Sequence, residues 1–372
     1  MTIPVNDLSR RHAANSDRHL KKITDVIKSG KWIQGPEHSA FETEFAKYLS
    51  TDFLLGVASG TDALELALRA AGCTKNSNVI TVANAGGYSS IAAVNIGCNL
   101  IYCDVESEYG LIDLSALREL VSPNIDAVVV THLFGNIAPI DEILELCKPF
   151  DIKVIEDCAQ AVGGTKNDVP VGGIGDIGTF SFYPTKNLGA IGDAGAVATS
   201  NAEYARRISE LRQYGWRGKY QIHTPGGINS RLDEIQAAIL RIELTDLDVD
   251  IKRRREIVME FEKEIKKTPI KLLTRHSEGS APHLAVVALP NGISRENFRE
   301  FLSQRGVQTD IHYPVLDCDQ PGLFKSPRNE QIPVSRALSA ALVTLPLFPG
   351  LTPIEIDIIL SSISEYSNKF LR

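Results

Sequence analysis

The chain has no excess of positive charge: 39 Lys and Arg face 46 Asp and Glu, for a net charge of −7. That balance argues against a nucleic-acid coat or a basic membrane-surface protein. No run of about twenty apolar residues occurs, so no helical membrane span is expected. The opening Met1-Thr2-Ile3-Pro4-Val5-Asn6-Asp7 lacks a basic stretch leading into an apolar one and does not read as a secretory signal. None of the six cysteines (Cys73, Cys98, Cys103, Cys147, Cys158, Cys318) forms a C-x-x-C pair, and no Cys/His spacing supports a zinc site. Scattered in mostly apolar surroundings, they read as reduced thiols, which predicts a cytoplasmic protein without a metal. Internal repeats and low-complexity tracts are missing too.

What is present is ordinary globular composition, 43% hydrophobic and 23% charged over 372 residues. That length predicts two domains, or one large core with an appendage. Seven short runs read as strands: Phe53–Val57, Val79–Val82, Leu100–Cys103, Ala127–Val130, Lys153–Ile155, Thr179–Phe182 and Gly195–Ala198. Most are continuously apolar, as strands buried on both faces are. Amphipathic segments such as Asp62–Ala71 and Pro139–Lys148 lie between them. The alternation predicts an α/β fold with a seven-stranded, mostly parallel sheet.

The pattern changes after about residue 232. Leu232–Lys267 reads as one long helix or two in series. Its run Lys252-Arg253-Arg254-Arg255, followed by Glu256, Glu260 and Glu262, predicts a solvated helix face with i,i+4 pairs. A strand near Leu284–Val287, a helix over Arg295–Arg305, a short strand near Val307–Ile311 and a terminal helix from Pro353 complete the expectation. The predicted division is a large domain over 1–245, whose N-terminal segment can pack on the other, and a small α+β domain over 246–372.

Three segments carry chemistry. In Ala58-Ser59-Gly60-Thr61-Asp62-Ala63-Leu64 a strand runs through a small-residue turn into a helix. Such a helix start binds anions through free N–H groups, or is simply an N-cap. In Val154-Ile155-Glu156-Asp157-Cys158-Ala159-Gln160-Ala161 an apolar strand ends in two carboxylates. Strand carboxyl ends are where open α/β sheets place ligands, and an acid there suits a cationic partner; it serves equally as an N-cap for a following helix. In Thr179–Gly189, Lys186 follows a strand and a proline turn, among hydroxyls and glycines with almost no other charge. A desolvated lysine has a lowered pKa and a nucleophilic amine, whereas most lysines lie on the surface.

Together these segments resemble the pyridoxal-phosphate aminotransferases of fold type I. More narrowly, the chain resembles the nucleotide-sugar aminotransferases of the DegT/DnrJ/EryC1/StrS family. The likeness extends through Trp32-Ile33-Gln34-Gly35-Pro36, Gly227-Ile228-Asn229-Ser230-Arg231-Leu232-Asp233, His312-Tyr313-Pro314 and Leu345-Pro346-Leu347-Phe348-Pro349. It implies that Lys186 holds pyridoxal 5′-phosphate covalently and that Asp157 pairs with the ring nitrogen, keeping it protonated. It implies that Gln160 reaches the ring hydroxyl and that Gly60, Thr61 and Ser181 hold the phosphate. Asn229 would reach that phosphate from the partner subunit of a homodimer. Tyr88 is the candidate to stack on the ring, in an unusual Ala83-Asn84-Ala85-Gly86-Gly87-Tyr88 segment. Tyr183, His312 and Tyr313 are expected on the substrate side, and His132 near the pocket.

The implied reaction passes an amino group from L-glutamate to a keto-sugar on a nucleotide diphosphate. Leu211–Tyr220 and the Asn84–Tyr88 stretch resemble the enzymes that act at C-3 of thymidine-diphosphate sugars; amination at C-4 is the alternative. A non-catalytic relative would be expected to lose Lys186 or Asp157, and the relatives that dehydrate carry His in place of the lysine. A cysteine desulfurase would need a reactive thiol, and Cys318 is flanked by acids that oppose one. Between Asn201 and Arg231 six cations face two acids. Of these, Arg217, Lys219 and Arg231 are the expected diphosphate contacts.

Overall fold

The computed structural model describes residues 2–323 and 331–371. Its central sheet has seven strands in the spatial order Phe53–Val57, Gly195–Thr199, Ile177–Ser181, Lys153–Asp157, Ala127–Thr131, Asn78–Val82 and Asn99–Cys103. Gly195–Thr199 runs antiparallel to both of its neighbours, and the other pairings are parallel. Every residue of Ala127–Thr131 and Gly195–Thr199 is buried, so the apolar runs are strands covered on both faces. Burying each large aliphatic side chain contributes about 1.5–3 kcal/mol. Helix Gly60–Ala70 packs on one face and buries Ala63, Leu64, Leu66, Ala67 and Leu68. Pro36–Leu49 packs on the other through Phe41 and Phe45 against Phe180 and Phe182.

A second, antiparallel sheet joins Lys271–Leu272, Ala285–Ala288 and Leu342–Leu345. Helices Leu247–Ile265, Arg295–Ser303 and Pro353–Phe370 share one core with it. Ile3 enters that core and bridges to Val307, so the extreme N-terminal segment packs here.

Of the two readings of 232–267, two helices in series form, Glu234–Leu244 and Leu247–Ile265. Two expectations need correction. No strand forms over Val307–Ile311; Val307 pairs singly with Ile3 and Asp310 with Thr344, so the segment bridges two neighbours without a ladder. The basic run is only partly a solvated face. Arg253 does pair with Glu256 and Glu260, but Arg254 is 1% exposed and donates to the carbonyls of His283 and Leu347. The buried guanidinium thereby satisfies two main-chain acceptors between the sheets.

Candidate active site

A cavity of about 670 Å³ opens where the parallel strands end. It is lined by Gly60, Thr61, Tyr88, Asp157, Ser181, Tyr183, Lys186, His312 and Tyr313, residues from five separate stretches of sequence. The reason is topological. Asp157 and Ser181 end adjacent parallel strands, and Gly60 begins the helix after Phe53–Val57.

At the anion end, Ser59 caps helix Gly60–Ala70 by accepting the Asp62 N–H at 3.1 Å. The next N–H groups, of Gly60 and Thr61, have no intrahelical acceptor, as in any first turn. Cap and anion cradle are therefore the same feature. A Cβ on Gly60 would lie 2.6 Å from Ser181 Cβ, so only glycine leaves this cradle open.

Glu156 and Asp157 point in opposite directions because strand residues alternate. Glu156 is wholly buried and accepts from Gly172, Ile174 and Gly175 N–H at 2.7–3.0 Å. His132 Nε2 meets it at 3.1 Å while His132 Nδ1 accepts from Ala138 N–H, so His132 is locked behind the sheet and does not line the cavity. Asp157 faces the cavity at 5% exposure. No helix follows it, so it is not an N-cap; it accepts the Ala159 N–H of a turn at 3.1 Å. Burial raises its pKa, and that N–H and the Lys186 charge only partly counter it.

Lys186 sits on a loop pinned from several sides. Asn187 and Leu188 are buried, and Asn187 Nδ2 donates to Ala281 O at 2.9 Å. The Arg11 guanidinium donates to the carbonyls of Pro184, Lys186 and Asn187. Burial of the amine pulls its pKa down to about 8, against the upward pull of Asp157.

Tyr88 begins helix Tyr88–Ile96 and meets Tyr313 edge-on, ring centres 6.4 Å apart. The Asn84–Gly87 departure has a structural cause. Gly86 has φ +84°, and a Cβ there would lie 2.7 Å from the Tyr313 ring. Gly86→Ala should therefore destabilise by about 1–3 kcal/mol, through crowding and positive-φ strain. A lowered urea midpoint measures this, and an unchanged midpoint contradicts the contact.

Gln160 stands behind the lining. Its amide accepts from Phe134 N–H at 2.7 Å and donates to Tyr313 Oη at 2.9 Å, so here it positions Tyr313. Asn229, Arg217, Lys219 and Arg231 do not line this cavity. Arg217 pairs with Glu210 at 2.8 Å, and Lys219 lies over the Tyr220 ring. Much of the local positive charge is likewise spent: Arg206 pairs with Glu203 and Glu210, and Arg212 with Glu42. Sequence reading missed Asn6, Asp193, Asp310 and His283, all in the lining. Burial, then the nearby Lys186 charge, holds the His283 pKa well below the usual range. Nothing around His283 in the sequence signals this; an apolar Ala281-Pro282-His283-Leu284 reads as the approach to a strand.

Residues 14–364 match the DegT/DnrJ/EryC1/StrS aminotransferase family. The chain belongs to this family. It is 36% identical over 365 residues, 98% of this chain and 99% of the relative, to a dTDP-3-amino-3,6-dideoxy-alpha-D-galactopyranose transaminase of Aneurinibacillus thermoaerophilus. Among solved structures, S. venezuelae DesV in complex with a ketimine intermediate matches with a TM-score of 0.94 at 33% identity, covering 99% of both chains. The structure of ntda from Bacillus subtilis with bound cofactor PMP matches with a TM-score of 0.92 at 27% identity, over 99% of this chain and 86% of that one. The cofactor is pyridoxal 5′-phosphate, and the cavity of this family member fits it. An open helix start suits a phosphate, a buried carboxylate suits a cationic ring nitrogen, and a lysine of lowered pKa suits an aldehyde.

Proposed function

We propose that this aminotransferase converts a TDP-linked 3-keto-6-deoxyhexose to the 3-amino sugar, with L-glutamate as donor. The observation that carries amino transfer is the shared cavity of Lys186 and Asp157. The C-3 position rests on likeness over nearly the whole chain to a relative named for a dTDP-3-amino sugar.

The bound pyridoxal ring supplies an electron sink for the carbon that loses its proton. The chain supplies the rest. Asp157 would pair with the ring nitrogen and keep it protonated. Gly60, Thr61 and Ser181 would hold the phosphate, and Tyr88 would flank the ring. Lys186 Nζ would hold the cofactor and, when released, would serve as the base and acid that moves the proton. Tyr183, His312 and Tyr313 face the sugar; the His312 ring is oriented by Thr344 Oγ1, 2.9 Å from its Nδ1.

The working unit in this reading is a cytoplasmic homodimer, with large domain 1–245 and small domain 246–372. Trp32 at 59% exposure and Tyr220 at 73% are aromatic side chains that a partner subunit would cover in this reading. Asn229, Arg217, Lys219 and Arg231 stand outside their own cavity, where a partner subunit's phosphate and diphosphate can meet them. Incubating the holoenzyme with L-glutamate and TDP-linked 3-keto or 4-keto 6-deoxyhexoses tests the reading. Amination at C-3, read by NMR, is expected; amination only at C-4 refutes the position, and no amination of either refutes the function.

A further inference from the structure

The sequence offers no Cys/His zinc spacing, yet the fold gathers two histidines and a glutamate from remote helices. His12 lies in Leu8–Ala13, His19 in Ser16–Ser29 and Glu243 in Glu234–Leu244. His12 Nδ1 and His19 Nε2 stand 3.7 and 2.9 Å from one oxygen, Glu243 Oε1. The three ligand atoms lie within 4.8 Å of one another. Tetrahedral zinc with bonds of about 2.0–2.1 Å separates its ligand atoms by roughly 3.3 Å. The two measured separations straddle that value. His19 and Glu243 are 6% and 5% exposed, and the two imidazole nitrogens meet the carboxylate at ion-pair distance without a well-aligned hydrogen bond. Two imidazole nitrogens converging on one buried carboxylate oxygen make a poor hydrogen-bond network and a good ligand set.

We propose that His12, His19 and Glu243 form a divalent transition-metal site suited to zinc, with water as fourth ligand entering past the partly exposed His12. Imidazole and carboxylate donors match that metal. The surrounding charge permits it. Arg11 Nε lies 3.7 Å from the other oxygen, Glu243 Oε2, so this arginine and the two histidines meet different oxygens of the carboxylate. Asn15 Nδ2 links Glu243 Oε1 to Asp246 Oδ2, and Arg18 pairs with Asp246. Arg254 and Arg11 both act on Asp250. The three arginines are thus matched by Glu243, Asp246 and Asp250, leaving no net positive charge to repel a cation.

Proximity alone does not select this cluster. His132, Glu156 and Cys158 are equally close. There, however, both His132 nitrogens and the Glu156 oxygens are already engaged, and burial pushes the Cys158 thiol far up. The proposed site also has a structural consequence. Occupancy would tie the first two helices to Glu234–Leu244, and Arg11 continues that tie to the carbonyls of the Lys186 loop.

The test is equilibrium dialysis of the holoenzyme against micromolar zinc chloride, with metal content measured afterwards. One more zinc per chain is expected in the wild type than in His12→Ala or His19→Ala. Cobalt chloride should give the visible bands of four-coordinate cobalt in the wild type and lose them in both variants. His12→Ala alters a partly exposed residue and guards against a folding defect in His19→Ala. Equal zinc in the wild type and His12→Ala, or none retained by the wild type, overturns the proposal.

Discussion

Lys186→Ala should abolish amino transfer, lowering kcat by on the order of 10⁴-fold. Among the described residues lining the cavity Lys186 is the only lysine, so no other amine among them can hold the cofactor or carry the proton. Its pKa of about 8 leaves a substantial free-amine fraction near neutral pH, which suits both tasks. Arginine at this position would keep the charge and lose the nucleophile, so Lys186→Arg should not rescue. A variant that still turned over keto-sugar with L-glutamate would end the assignment.

The same lysine shapes stability. In the unfolded chain it binds a proton up to about pH 10.4, in the folded chain only to about 8. Between those values the unfolded state holds more protons, so the cofactor-free chain gains stability as pH rises. The gain is about 2 kcal/mol once water at the cavity mouth is allowed for. Lys186→Met should flatten that contribution and be more stable than the wild type below pH 8. Urea midpoints of the cofactor-free proteins at pH 7.5 and pH 10 report the difference; parallel slopes would contradict it.

Asp157→Asn should lower kcat by on the order of 10²–10³, as loss of one preorganised electrostatic partner does. The amide keeps the shape and the turn contact to Ala159 but carries no charge. Asp157 is buried at the cavity wall, where the lost charge is poorly replaced by solvent. The loss should fall on kcat more than on KM for L-glutamate, because the charge acts on the ring nitrogen and strengthens as electrons move toward it. Asp157→Glu should recover part of the rate. Full kcat in Asp157→Asn would remove this residue from the mechanism.

The central sheet was legible because its strands are buried on both faces, which writes them as continuous apolar runs. The second sheet was less so: Lys271–Leu272 is two residues long, and Leu342–Leu345 follows a helix directly. Glu156 and Asp157 looked equivalent in sequence. Only strand alternation, with the backbone of Gly172–Gly175 wrapped around Glu156, shows which carboxylate faces the cavity. Arg254 looked like a surface charge because its acceptors, the carbonyls of His283 and Leu347, are some 30 and 90 residues away.

By itself the sequence determined the fold class, the family resemblance and the segments bearing Lys186, Asp157 and Gly60. Those are local signals, each written within a dozen residues. The tertiary structure alone decided that Gln160 serves Tyr313, that Gly86 makes room for the Tyr313 ring, and that His283 joins the cavity. It alone brought His12 and His19 to Glu243, across more than two hundred residues. Such contacts depend on how helices and strands pack at long range. A side chain's partners then come from other elements, and its own neighbours in sequence carry no trace of them.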